Sequence, residues 1–171
     1  MARASGCAVC DGALHDARYP RKPRGGPAEL PGYDWRHSFC CAVEGCRKRT
    51  TPPSVRFLGR RVYLGVVVVL ASALRHGVTP ARLARLRAEL GVCRRTLERW
   101  RVWWREVFVA TRFWRAAKGR LASPVDEATL PQSLLERFGG DDVERLVHAL
   151  EFLAPITTAS AGETAFLEGR R

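Results

Sequence analysis

Five of the six cysteines in this 171-residue chain fall within its first 46 residues. Cys7-Ala-Val-Cys10 is a CxxC pair. Cys40-Cys41-Ala-Val-Glu-Gly-Cys46 follows thirty residues later and offers CxxxxC through Cys41 or CxxxxxC through Cys40. Two short hairpins, each donating two thiolates, can close a tetrahedral Zn2+ site with Zn to S distances of about 2.3 Å. No other feature limits this stretch as much. Residues 11–38 contain Pro20, Pro23, Pro27 and Pro31 with Gly25, Gly26 and Gly32, and cannot assemble a packed core unaided. A metal supplies the missing folding free energy. The expected module is a zinc ribbon with Cys7, Cys10, Cys41 and Cys46 as ligands and Cys40 as the alternate to Cys41. The four-residue spacer ending in Gly-Cys favours Cys41, and Gly45 permits a tight turn whose amides point at sulfur. His15 and His37 are weaker substitutes, and redox-active or simply buried thiols are the competing explanation. Tyr33, Trp35 and Phe39 alternate as a strand does and are expected to cover the site. Cys93 stands alone and is expected to be structural.

Met1 to Gly12 lacks the apolar run of a secretory signal. The longest apolar run, Val62 to Leu74, has 13 residues, fewer than the roughly 20 that span a bilayer. Six cysteines without an export signal point to a reducing compartment, where paired cysteines hold metal more often than they form disulfides. The expected location is cytoplasmic and nucleoid-associated, with no membrane partner.

The charge is uneven. Of the 29 Lys and Arg and 17 Asp and Glu, net +12, residues 1–120 hold 25 and 8, net +17, and residues 121–171 hold 4 and 9, net −5. A folded basic surface with an acidic appendage suits a polyanion. All but Lys22, Lys48 and Lys118 of the cations are Arg, whose planar fork fits phosphate and guanine edges, although a GC-rich genome produces the same bias. Arg47, Lys48, Arg49, Arg56, Arg60 and Arg61 crowd into fifteen residues around Pro52 and Pro53, which hold the chain extended. Such a segment reads as a phosphate-contacting arm.

Residues 60–75 are apolar nearly all round and predict a buried helix ended by His76-Gly77. Thr79-Pro80 reads as the N-cap and first-turn proline of a helix to Leu90, with Leu83, Leu86 and Leu90 on one face and Arg82, Arg85 and Arg87 toward solvent. Gly91 stops it. After Gly91-Val92-Cys93 a long helix begins at Arg94 and is expected to reach about Lys118, giving a helix-turn-helix layout. Leu86, Leu90, Val92, Leu97 and Trp100 fill the apolar positions between the helices, and Arg87 occupies a place where a small residue is usual. Leu97, Trp100, Trp104, Val107, Phe108 and Trp114 form one broad stripe, expected to be core. Trp103 lies at its margin. The outward first turn carries Arg94, Arg95, Glu98 and Arg99. The three arginines suit guanine O6 and N7, and Glu98 suits cytosine N4 or orients its neighbours. Thr96 and Arg105 are expected on phosphate, and Arg101, Arg112 and Arg115 in solvent.

Leu121 to Leu130 reads as a linker. Helices over 131–138 and 141–153 follow, the second capped by Asp141 and carrying Val143, Leu146, Val147, Leu150 and Leu153 at helical spacing. The pair either packs on the long helix or mediates self-association. His148 reads as structural, and residues 157–171 are expected to be disordered. The fold class is mainly α: an N-terminal zinc ribbon (small β), then a helix-turn-helix bundle with a long third helix and a short C-terminal helical hairpin. The divisions are 1–58 (ribbon and arm), 59–120 (helix-turn-helix), 121–156 (acidic hairpin) and 157–171 (tail).

No glycine-rich phosphate loop, nucleophile elbow or paired histidine–glutamate helix occurs, and the basic region has too few acids for a two-metal nuclease, so no enzyme is expected. The ribbon cysteines followed by Arg47-Lys48-Arg49-Thr50-Thr51-Pro52-Pro53-Ser54 and then Gly91, Thr96, Leu97 and Trp100 resemble the DNA-binding front end of bacterial insertion-sequence transposases and their small stand-alone relatives. The resemblance covers about residues 7–105 and implies binding of an element's terminal repeats. The acidic catalytic domain of a transposase is absent, so no strand transfer is implied. The expected function is sequence-specific double-stranded DNA binding, transposon-associated or as a transcriptional regulator. A separate transposase or recombinase chain and a second copy of this chain are the candidate protein partners. The alternatives are an RNA or single-strand binder stacking bases on Tyr33, Trp35 and Trp103, and a zinc-stabilised protein-interaction adaptor.

Overall fold

The computed structural model describes residues 5–21, 35–58, 63–73 and 79–157. It is mainly helical with a small N-terminal antiparallel sheet. The N-terminal strands are β1 (Leu14–Asp16), β2 (Tyr19–Pro20), β3 (Trp35–Arg36), β4 (Phe39–Cys41) and β5 (Arg49–Thr50). They form a sheet ordered β1-β4-β5 and a separate β2-β3 ladder. Register places Leu14 opposite Cys41 and Phe39 opposite Thr50. Among the described residues, only Cys7, Leu14 and Cys41 are buried in the local apolar cluster, with Phe39 and Cys46 partly so. Trp35 is 41% exposed and does not cover this cluster, contrary to expectation, whereas Phe39 packs against it. Tyr33 lies outside the described residues.

The helix expected over residues 60–75 is shorter. β6 (Phe57–Leu58) pairs with β7 (Tyr63–Leu64), and α1 begins only at Gly65 and runs to Ser72. The Gly65 amide donates to the Arg56 carbonyl at 2.8 Å, which commits the chain before it to hairpin geometry. His76-Gly77 lies outside the described residues. α2 (Pro80–Leu90) has the expected limits: Thr79 Oγ1 accepts from the Arg82 amide, Pro80 opens the first turn, and Gly91 closes it at φ +64°. That left-handed conformation favours glycine. No residue of α2 is fully buried, and Leu86 and Leu90 touch the core from its edge.

α3 (Arg94–Val102) presents Leu97 and Trp100 inward. The single long helix expected to reach Lys118 is interrupted. The chain widens into a π turn over Trp103–Val107, tightens into a 3-10 turn over Phe108–Ala110, and turns extended at Thr111. There Thr111 Oγ1 donates to the Phe108 carbonyl at 2.7 Å and accepts from the Trp114 amide at 3.0 Å, ending one helix and capping α4 (Arg112–Ala117). Apolar residues surround this segment too widely for one straight stripe. The break and the wide turn bring Trp103, Trp104, Phe108 and Trp114 into one core, each at most 2% exposed.

The expected linker contains a 3-10 turn, Glu127–Thr129, capped by Asp126. Trp114 Nε1 donates to Glu127 Oε1 at 2.7 Å. α5 is short, Gln132–Leu135, after a cis Leu130–Pro131 bond. α6 (Asp142–Leu153) starts with a reciprocal capping box between Asp141 and Glu144. Leu130, Leu134, Leu150, Leu153 and Ile156 belong to the same cluster as Val68, Leu97 and Trp104, so residues 121–156 share the core of α1 and α3. Arg36, 6% exposed, ties the strands to this body: Nη2 donates to the carbonyls of Pro52 and Thr157 at 2.8 and 3.3 Å. Residues 158–171 lie outside the described residues. No helix among the described residues is long and apolar enough to cross a membrane.

Candidate metal centre and nucleic-acid interface

Cys7, Cys10, Cys41 and Cys46 bring their Sγ atoms within 4.8 Å of one another. Cys7 and Cys46 are 3.8 Å apart and Cys10 and Cys41 3.4 Å. Four thiolates at about 2.3 Å around one ion stand near 3.8 Å from each other, so the group is compatible with a metal site. β4 explains which adjacent cysteine joins. Side chains alternate along a strand, so Cys41 turns inward and is fully buried while Cys40 lies on the other face, its Sγ 3.5 Å from the Arg47 carbonyl. His15 and His37 are exposed and outside the group.

Cys7 and Cys10 share one turn, Cys46 sits on a second turn of the same kind, and Cys41 comes from β4. The Asp11 amide donates to the Cys7 carbonyl and the Arg47 amide to the Val43 carbonyl, each spanning four residues. Asp11 and Arg47, the residues just after Cys10 and Cys46, take positive φ of 54° and 43°. Gly45 at φ +86° opens the second turn. Gly12 has a different reason. A Cβ there would collide with Val43 and stand 3.2 and 3.3 Å from the Cys41 and Cys10 sulfurs, so the backbone approaches the thiols only because no side chain intervenes. The Cys-Asp-Gly sequence was its signal.

The thiols are electrostatically unequal. Backbone amides at Val9 and Cys10 bring Cys7 down to about 7. The Gly12 amide lowers Cys10, but hydrogen bonds with the Cys41 and Cys46 side chains and loss of solvation outweigh it and push Cys10 up to about 12. Burial raises Cys41. One thiolate forms readily and its neighbours then resist a second negative charge, a conflict that a dication removes.

On α3, Arg94, Arg95 and Glu98 share an exposed first turn, with Arg94 Nε 2.8 Å from Glu98 Oε1. An exposed i,i+4 pair of this kind contributes little to stability, about 0.3–0.5 kcal/mol, and both groups stay accessible. Arg99 is half-buried, and its Nε is buried without a hydrogen bond. Thr96 is also half-buried, its Oγ1 3.3 Å from Cys93 Sγ. That hydrogen bond and nearby amides lower the Cys93 pKa. Arg105 is exposed and donates through Nε to the Arg101 carbonyl. Arg47, Lys48 and Arg49 are exposed after the second cysteine pair, Arg56 is half-buried, and Arg60 and Arg61 lie outside the described residues.

Comparison with known proteins gives no match, whether to a family model, a curated protein or a solved structure. The functional reading therefore rests on geometry and chemistry. Sequence reasoning missed Gly12, the Arg36 strut and the Thr111 cap. Arg36 carried no signal, since burial of one arginine among 26 is not written in any local pattern.

Proposed function

We propose that this chain is a non-catalytic, zinc-stabilised protein that binds double-stranded DNA in a sequence-specific manner, as a transposon-associated factor or a transcriptional regulator. The observation that carries the reading is the first turn of α3. Arg94, Arg95 and Glu98 are exposed there while Leu97 and Trp100 are buried, directly after a left-handed Gly91 turn and a preceding helix. That arrangement anchors a helix by one face and offers guanidinium and carboxylate groups from the other, as major-groove reading requires.

Cys7, Cys10, Cys41 and Cys46 would hold Zn2+, which supplies folding free energy to a ribbon in which three described residues form the buried cluster. Arg47, Lys48 and Arg49 would bind phosphates and carry affinity rather than sequence. Arg99, being half-buried, supports the helix more than it reads bases. The single-strand alternative loses Trp103, which is 2% exposed and packed in the core.

Selection of bound sites from a random duplex library tests the reading. A recovered consensus supports it, and palindromic half-sites would report a dimer. Arg95→Ala is expected to weaken the selected site by about 1–3 kcal/mol while leaving random duplex affinity nearly unchanged. Equal loss on every sequence would rule out base reading at Arg95.

A further inference from the structure

A cavity of about 410 Å³ opens where the ribbon meets the helical body. Trp35, Phe39, Pro52, Pro53, Val55 and Ala154 give it apolar walls. Trp35 and Val55 are 41% and 45% exposed, whereas the other four tryptophans are at most 2% exposed. The Ser54 amide donates to Thr157 Oγ1 at 2.8 Å and the Arg56 amide to Ser54 Oγ at 3.1 Å, so hydrogen bonds fix one wall to the end of the helical body. The ionisable residues at the cavity are Arg36, His37 and Arg56, and no acidic residue lines it among the described residues.

Arg36 is the strut between the two parts, buried to 6% exposure. Its acceptors are the carbonyls of Pro52 and Thr157, and both take hydrogens from Nη2. A guanidinium has five N–H donors, and those on Nε and Nη1 meet no acceptor among the described residues. Pro52 borders the cavity, so the bond to its carbonyl brings the guanidinium itself, and not only its stem, to the cavity wall. Burial pushes the Arg36 pKa down, Tyr19 raises it and the Arg21 charge lowers it again. A buried charge is costly unless an opposite charge meets it. Two carbonyl dipoles offset part of that cost, and an anion accepting from the remaining donors would offset more. One guanidinium balances one negative charge, which favours a carboxylate over a phosphate dianion. The exposed indole, the prolines and Val55 suit a flat apolar body rather than a hydroxylated one.

We propose that this cavity binds a small aromatic monocarboxylate, with its ring against the apolar walls and its carboxylate on Arg36. The inference goes beyond the DNA-binding reading and does not depend on it.

Full-length, metal-loaded protein is titrated calorimetrically with phenylacetate, its neutral isostere phenylacetamide and the dianion phenyl phosphate. Phenylacetate is expected to saturate one site with a dissociation constant of about 0.3–3 mM, the range open to a ligand of ten heavy atoms. Phenylacetamide is expected to bind about tenfold more weakly, because it lacks the charge that meets Arg36. Emission from Trp35, the one exposed tryptophan, is expected to shift with the same midpoint. Trp35→Ala removes an exposed side chain and is expected to weaken phenylacetate about tenfold with an unchanged melting temperature. Equal affinities for phenylacetate and phenylacetamide overturn the role of Arg36, and tighter binding of phenyl phosphate overturns the choice of a monocarboxylate. Unchanged phenylacetate affinity in Trp35→Ala overturns the location. Displacement of phenylacetate by a short oligothymidylate that quenches Trp35 at lower concentration would assign the cavity to unpaired nucleotides and likewise overturn the proposal. None of these outcomes bears on duplex binding, which site selection tests separately.

Discussion

Replacing Cys41 by serine separates a metal centre from a cluster of buried thiols. Apparent binding free energies of structural zinc sites run about 10–16 kcal/mol, so each of four thiolates accounts for about 2.5–4 kcal/mol on average. Losing one is therefore expected to weaken zinc by about 100- to 1000-fold. The neighbouring Cys40→Ser variant is the internal control, because Cys40 Sγ lies 3.5 Å from the Arg47 carbonyl and outside the four-sulfur group. Competition with a chromophoric chelator at fixed pH reads both affinities, and elemental analysis reads stoichiometry, expected to be one Zn2+ per chain for wild type and Cys40→Ser. Because Gly12 and the two turns are shared by both proteins, the difference isolates the thiol. Equal affinities in the two variants, or zinc binding lost in Cys40→Ser alone, would refute the assignment.

Trp103→Ala is expected to destabilise the helical body by about 3–5 kcal/mol in urea unfolding, because Trp103 is 2% exposed and packs edge-on against Trp104 at 4.8 Å. A stability-neutral variant with reduced single-strand binding would instead restore the stacking reading. Glu127 gives a pH signature. Hydrogen bonds from Trp114 and Lys118 hold its carboxyl below the ordinary value of 4.5, so it stabilises the fold above that value and the contribution disappears as pH falls through its folded pKa. Glu127→Gln is expected to unfold at lower urea than wild type at pH 7, with the difference narrowing as pH falls below 4.5. A gap that does not change with pH would show that the charge on Glu127 is irrelevant.

The residues that declare themselves locally were legible in the chain. Thr79, Pro80 and Gly91 delimit α2, and Asp141 caps α6, because capping depends on hydrogen bonds within one turn and on a single residue's φ. The spacing of Cys7 and Cys10 foretold a pair on one tight turn in the same way. The interruption at Thr111 was not legible: apolar residues continue on both sides of it, and a threonine among them fits a helix interior as well as a cap. Only the need to seat Trp103, Trp104, Phe108 and Trp114 in one volume selects the cap.

The choice between Cys40 and Cys41 shows the same divide. Their order in the chain makes them neighbours on opposite faces of any strand, a consequence of backbone geometry alone. Which face meets Cys7, Cys10 and Cys46 depends on the register Leu14 to Cys41, set by pairing with a strand some 25 residues away. The acidic segment follows suit. Its helices were readable from apolar spacing, yet their place in the core of α1 and α3 came only from long-range packing, since apolar surface is non-directional and joins whatever complementary surface the chain brings to it.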